Sequence, residues 1–203
     1  MKHRFARGIV TAALLAVGWS AAAQADNEDA VEQARRAFVD RMVKEHGFDR
    51  SSLTSVLDAA SIEQRILDAI SRPAERVVPW YEYRNIFLTS ERIAAGVQFW
   101  KDNAEPLERI AADYGVAPEM IVGIIGVETF FGRITGRYRV LDALSTLAFA
   151  YPPRSRFFTS ELEHFLLLVR EEGVDAAEPL GSYACAMGRG QFIPSRSRAY
   201  AVD

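Results

Sequence analysis

Residues 114–136 read YGVAPEMIVGIIGVETFFGRITG. Gly115 is a helix stop, because glycine enters the left-handed conformation without a Cβ penalty. Pro118 stands where a first-turn proline sacrifices no hydrogen bond. From Met120 to Val127 there is no polar side chain, so the segment is apolar on every side. A helix of that kind is expected in the middle of a domain, covered all round. It ends in Val127-Glu128-Thr129-Phe130-Phe131-Gly132, and Glu128 is the first charged residue after Glu119. On a helix its neighbours are Ile121, Ile124, Ile125 and Phe131, all apolar. Desolvation disfavours a carboxylate, so a carboxyl among such neighbours is expected to hold its proton to higher pH than a solvated Glu. Cleavage of a glycosidic bond needs a protonated carboxyl near neutral pH. The alternative is an ordinary helix-end Glu, turned to water or paired with Arg133.

Upstream, Ile93, Val97, Trp100, Ala104, Leu107, Ala111 and Tyr114 recur at alternating steps of four and three. They form one apolar stripe on a helix capped by Ser90, with a kink or break expected at Pro106. Arg72 to Ser90, RPAERVVPWYEYRNIFLTS, holds two prolines and many aromatics and reads as an extended connection. Trp80, Tyr81 and Tyr83 there are either core packing or a platform for sugar rings. Earlier still, Val31, Ala34, Phe38, Val39 and Met42 mark a helix over Asn27 to Lys44, ended by His46-Gly47. Asp49 and Ser51 are caps for a short helix from Leu53 to Ala59. Ser61 caps another, carrying Ile62, Ile66 and Ile70 and stopped before Pro73. The pattern is mainly α.

Downstream lies GSYACAMGRGQFIPS, residues 181–195. Its small residues allow close backbone approach to a ligand and leave Ser182 and Gln191 as the polar side chains that could reach one. The same composition also suits plain loop packing.

Composition narrows the function classes. Of 203 residues, 24 are Lys or Arg and 27 Asp or Glu, for a net charge of −3, and 49% are hydrophobic. That balance supports a packed core and argues against disorder. No stretch concentrates enough basic residues for a nucleic-acid partner. The single cysteine, Cys185, excludes an intrachain disulfide framework and a Cys-rich zinc site, and reads as a small buried hydrophobe. His3, His46 and His164 have no metal-ligand spacing, so no metal is expected. No Ser-His-Asp arrangement or phosphate-binding glycine loop is present.

Residues 1–25, MKHRFARGIVTAALLAVGWSAAAQA, combine an early positive charge with an apolar run and end in Ala23-Gln24-Ala25. This is the form of a secretory signal peptide cleaved after Ala25, the alternative being an N-terminal membrane anchor. No cysteine near the cleavage point could take a lipid. The mature protein, residues 26–203, is expected to be soluble in the periplasm and monomeric.

The blocks PWYEYR (Pro79 to Arg84), Tyr114 to Gly136, LDALSTLAFAYPPR (Leu141 to Arg154), FFTSELEHFLLL (Phe157 to Leu168) and Gly181 to Ser195 stand in an order that resembles the B-type lytic murein transglycosylases, glycoside hydrolase family 103. The resemblance implies a lysozyme-like transglycosylase domain (α+β in the full family) acting on peptidoglycan glycan strands. It implies Glu128 as the sole catalytic acid and base, with Tyr83, Ser182, Gln191 and Arg154 binding substrate. The implied reaction cleaves the β-1,4 bond between N-acetylmuramic acid and N-acetylglucosamine and forms 1,6-anhydro-muramic acid. Cell-wall synthesis proteins are candidate partners.

Three departures from the family pattern stand out. Pro152-Pro153-Arg154 keeps only one of the usual paired basic residues. Cys185 and Arg189 replace a small residue and an aromatic. Family members also continue past the position of Asp203, with further substrate-binding residues and an EF-hand-type calcium loop, and this sequence has no D-x-[DN]-x-[DN]-G loop. The chain therefore reads as a C-terminally truncated domain without a cofactor of its own. The rivals are an inactive peptidoglycan-binding remnant and a purely structural helical periplasmic protein.

Overall fold

The computed structural model describes residues 10–72 and 78–201, with side chains from residue 28 onward. It is mainly helical, with α1 (Val10–His46), α2 (Arg50–Asp58), α3 (Gln64–Ile70), α4 (Trp80–Phe87), α5 (Ser90–Asp102), α6 (Ala104–Tyr114), α7 (Pro118–Thr129), α8 (Val140–Phe149), α9 (Ser155–Glu172) and α10 (Pro194–Tyr200). Strands β1 (Tyr138–Arg139) and β2 (Leu180–Gly181) pair antiparallel, Tyr138 opposite Gly181. The expected signal peptide lies outside the described residues over 1–9 and appears only as helical backbone from Val10. Among the described residues no single helix is long and apolar enough to cross a membrane, although the sharply bent pair α6 and α7 passes by length and composition.

The chain divides into two compact units, Met1–Leu57 and Asp58–Asp203. In the first, Phe38, Val39 and Met42 are buried on one face of α1, as their spacing requires, whereas Ala34 is exposed. Gly47 takes φ +64 and ends the helix. Asp49 starts α2: its Oδ1 accepts from the Ser52 backbone N–H at 2.8 Å and from the Ser51 and Ser52 hydroxyls. These donors hold the Asp49 carboxyl at about 2, well below its usual range.

The second unit is organised around α8, not α7. Every residue from Val140 to Ala148 is buried. α9 packs along α8 and buries Phe158, Leu162, Phe165 and Leu166. Two of the three buried polar side chains of α8, Asp142 and Thr146, are satisfied, whereas the Ser145 hydroxyl is buried without a hydrogen-bond partner among the described residues. Asp142 takes two hydrogen bonds from Arg139 and accepts from the Ser61 backbone at 2.9 Å. The Thr146 hydroxyl accepts from the Glu63 backbone at 2.9 Å. Ser61 is thus a strut to α8, and the N-cap of α3 is Glu63.

Three further expectations change. Trp80 to Phe87 is a helix, not an extended connection; Pro79 lies just outside it, where its fixed φ favours helix entry, and no Pro or Gly interrupts the run. The cap of α5 is Thr89, whose hydroxyl accepts from Arg92 N–H at 3.2 Å. The long stripe breaks at Asn103, so Pro106 falls in the first turn of a new helix, where it removes no bond.

Candidate active site

The exit from α7 determines where Glu128 sits. Phe130 and Phe131 adopt φ +49 and +60, a left-handed turn that costs energy for residues with a Cβ. That turn directs both of their N–H groups to the Ile125 carbonyl. The Gly126 carbonyl is left without its helical partner, and Arg92 supplies one: Nη1 donates to it at 2.6 Å. The Arg92 guanidinium also lies over the rings of Phe87 (5.3 Å) and Phe130 (4.6 Å). Phe131 turns back into the gap between α5 and α7. A Cβ at Gly96 or Gly126 would come within 2.9 or 2.7 Å of its ring, so a side chain at either position would push the ring aside.

The apolar helix is only half covered. Val122, Gly126 and Thr129 face inward, while Met120 (59% exposed), Ile124 (52%) and Val127 (47%) face out. Ile93, Val97 and Trp100 of α5 are exposed as well. Glu128 stands on the rim of this face, exposed, one turn after Ile124. The protein alone does not bury its carboxyl, contrary to expectation, because the neighbouring isoleucine is itself wet. The pairing with Arg133 is not formed either; that guanidinium meets Glu91 at 3.4 Å. Beside the rim, Phe87, Leu88, Arg92, Ile93, Val122 and Val127 help line a shallow apolar cavity of about 210 Å³.

The loop between β2 and α10 is braced against the α7 exit. Ser182 Oγ accepts from the N–H groups of Ala184 (3.2 Å) and Ala186 (3.1 Å), and its own proton is left to donate. Gln191 Nε2 donates to the carbonyls of Thr135 (3.1 Å) and Gly188 (3.0 Å), which leaves its Oε1 as an acceptor. Cys185 is fully buried at φ +70, and burial, with the Glu161 carboxylate nearby, pushes its thiol pKa up. At the far end, the buried carboxylate of Glu161 accepts from Ser195 N–H (2.9 Å) and hydroxyl (2.7 Å), which docks α10 on α9.

The structure ties the Ser182 and Gln191 loop to the end of the Glu128 helix through Thr129, whose hydroxyl lies 2.9 Å from the Arg189 carbonyl. The Tyr83 ring packs edge-on against Phe87 at 5.2 Å, and Phe87 lines the cavity. Tyr83 and Trp80 are exposed, and their rings lie 6.2 Å apart. Arg154 is exposed and its guanidinium stacks on Phe157 and Phe158 at 4.3 and 5.2 Å. Among the described residues no three His, Cys, Asp or Glu side chains gather where they could hold a metal ion. Arg92 was not marked by spacing, and Thr129 could have been, as a polar residue in phase with inward Val122 and Gly126.

Residues 30–203 match the model of the transglycosylase SLT domain. The chain belongs to this family. Within the SLT domain family it is 46% identical to the membrane-bound lytic murein transglycosylase B of Escherichia coli (strain K12), over 82% of this chain and 48% of that protein. It superposes on the soluble lytic transglycosylase SltB1 of Pseudomonas aeruginosa with a TM-score of 0.82 and 57% identity, over 84% of this chain and 57% of that one. It also matches SltB3 of Pseudomonas aeruginosa in complex with NAG-anhNAM-pentapeptide, at a TM-score of 0.78 and 29% identity, over 86% and 46% of the two chains. The chain spans about half the length of these relatives.

Proposed function

We propose that this chain is an exported peptidoglycan lytic transglycosylase. It would cut the β-1,4 bond between N-acetylmuramic acid and N-acetylglucosamine and leave a 1,6-anhydro-muramic end, with Glu128 as its acid and base. The observation that carries the reading is the family match across the segment holding Glu128. The SltB3 complex with NAG-anhNAM-pentapeptide supports the anhydro product.

The geometry suits such a reaction. A glycan lying along Met120, Ile124 and Val127 would displace water from the rim, and a carboxyl out of water keeps its proton. Glu128 gives that proton to the leaving oxygen as the C1–O bond breaks. The sugar's own N-acetyl carbonyl eases the oxocarbenium-like centre. The Glu128 carboxylate then takes the proton of the sugar's 6-hydroxyl, whose oxygen bonds to C1. The proton count closes and no water is consumed. A hydroxyl on the same ring competes with water because its effective concentration is very high. Ser182 offers a donor, Gln191 Oε1 an acceptor, and the Trp80, Tyr81 and Tyr83 group an aromatic face for sugar rings.

The test is digestion of purified sacculi with the full chain, read by mass spectrometry. Released muropeptides should carry 1,6-anhydro ends. Products heavier by one water would overturn the reading, and binding without release would favour the non-enzymatic alternative. Export is tested by sequencing the periplasmic protein: it should begin at Asp26, and a retained Met1 would indicate an anchor.

A further inference from the structure

Thr129 follows Glu128 in sequence but points the other way. Its side chain is 1% exposed, whereas Glu128 is at the surface. The Thr129 hydroxyl lies 2.9 Å from the Arg189 carbonyl and 3.2 Å from the Ile125 carbonyl, and accepts from the Gly132 N–H at 3.0 Å. A hydroxyl has one proton to give, and the nearer carbonyl is that of Arg189. Arg189 sits in the turn closed by the paired hydrogen bonds of Met187 and Phe192, two residues before Gln191. One buried hydroxyl therefore joins the end of the Glu128 helix to the loop that carries Ser182 and Gln191.

We propose that Thr129 is a positioning residue, whose hydroxyl sets the Ser182 and Gln191 loop at a fixed place relative to the Glu128 carboxyl. The proposal rests on the lytic reaction proposed above. Thr129 touches no substrate; it acts through the Arg189 carbonyl. Acid and base chemistry tolerates little misplacement, and a shift of about 1 Å can reduce turnover on the order of 100-fold. The other hydrogen-bond ties of this loop, Gln191 to Thr135 and Glu161 to Ser195, hold its outer parts; Arg189 meets Thr129 through its carbonyl, while its guanidinium lies over the Phe99 ring at 5.9 Å.

The experiment compares the full chain with Thr129→Val, which keeps the shape and removes the hydroxyl, and with Thr129→Ser, which keeps the hydroxyl. Hydrogen–deuterium exchange, read without substrate, should rise about 10-fold over residues 186–192 in the Val variant, since a buried carbonyl and N–H lose their partner. Exchange in α8 and α9 should stay as in the wild type, and the Ser variant should match the wild type throughout. On sacculi, kcat should fall about 10-fold or more in the Val variant with KM little changed, and Ser should restore it. A Val variant that exchanges and turns over like the wild type would overturn the proposal, as would a Ser variant as impaired as Val. A wild-type chain that releases no anhydro product would overturn the reaction reading instead. The exchange comparison would then decide the Thr129 tie without reference to catalysis.

Discussion

Gly136 and Gly181 approach so closely that a methyl group on the first would overlap the carbonyl of the second. Gly136 also holds φ +109, a conformation that L side chains rarely adopt. The contact sits where the α7 exit meets β2, one residue before Ser182. Gly136→Ala is expected to lose on the order of 3 kcal/mol, from strain and overpacking together. Denaturant unfolding measures it; a loss under 1 kcal/mol would mean that the chain relaxes there at little cost.

Glu128→Gln should remove bond cleavage by roughly 100-fold or more. Its thermal midpoint should stay within the error of the wild type, because the side chain is exposed and the substitution leaves no buried partner behind. Sacculus turnover and a melting curve on the same preparation check both halves. Near-normal turnover would remove Glu128 from the mechanism.

Asp49 supplies a pH signature. Its folded-state carboxyl sits near 2, below the usual 3.8, because Ser51 and Ser52 donate to the ionised form. A depressed carboxyl pKa adds stability that is complete above about 4 and disappears as pH falls toward 2. The stability difference between wild type and Asp49→Ala should therefore be constant from neutral pH to about 4 and shrink below it. A difference that held steady down to pH 2 would show that the ionised cap contributes nothing.

Cys185 should resist thiol reagents. It is fully buried, and its raised pKa withholds the reactive thiolate. Ellman's reagent should label it only as the protein unfolds, at a rate set by unfolding. Rapid labelling of the folded chain would contradict its burial.

Local signals read well from sequence where the cause is local. Gly47 and Gly115 end helices because only glycine takes that φ cheaply, and Phe38 and Met42 share a face because their spacing allows nothing else. Pro79 was misleading, since a proline excludes helix on one side of itself and favours it on the other. The apolar run of α7 told that a partner is wanted, not that one is present, so Met120, Ile124 and Val127 are wet and Glu128 with them. The true centre, α8, carries three polar residues, Asp142, Ser145 and Thr146, among its ten. Arg139 beside it and the backbone groups of Ser61 and Glu63, more than eighty residues away, make the polarity of Asp142 and Thr146 compatible with burial. The candidate site followed the same rule: Glu128, Ser182 and Gln191 stood out as residue types, while the tie through Thr129 depends on a backbone atom that no side-chain pattern reveals.

The struts from Ser61 to Asp142 and from Glu63 to Thr146 also set an order of events during synthesis. They close loops of 81 and 83 residues, and a closure of that length precedes any contact that rewards it. The amides of Ser61 and Glu63 emerge from the ribosome long before their acceptors exist. Until α8 has been made, α3 has nothing to dock on through these bonds, and a nascent chain arrested before Asp142 would leave that end open to water. The second unit therefore closes from its late residues back onto its early ones.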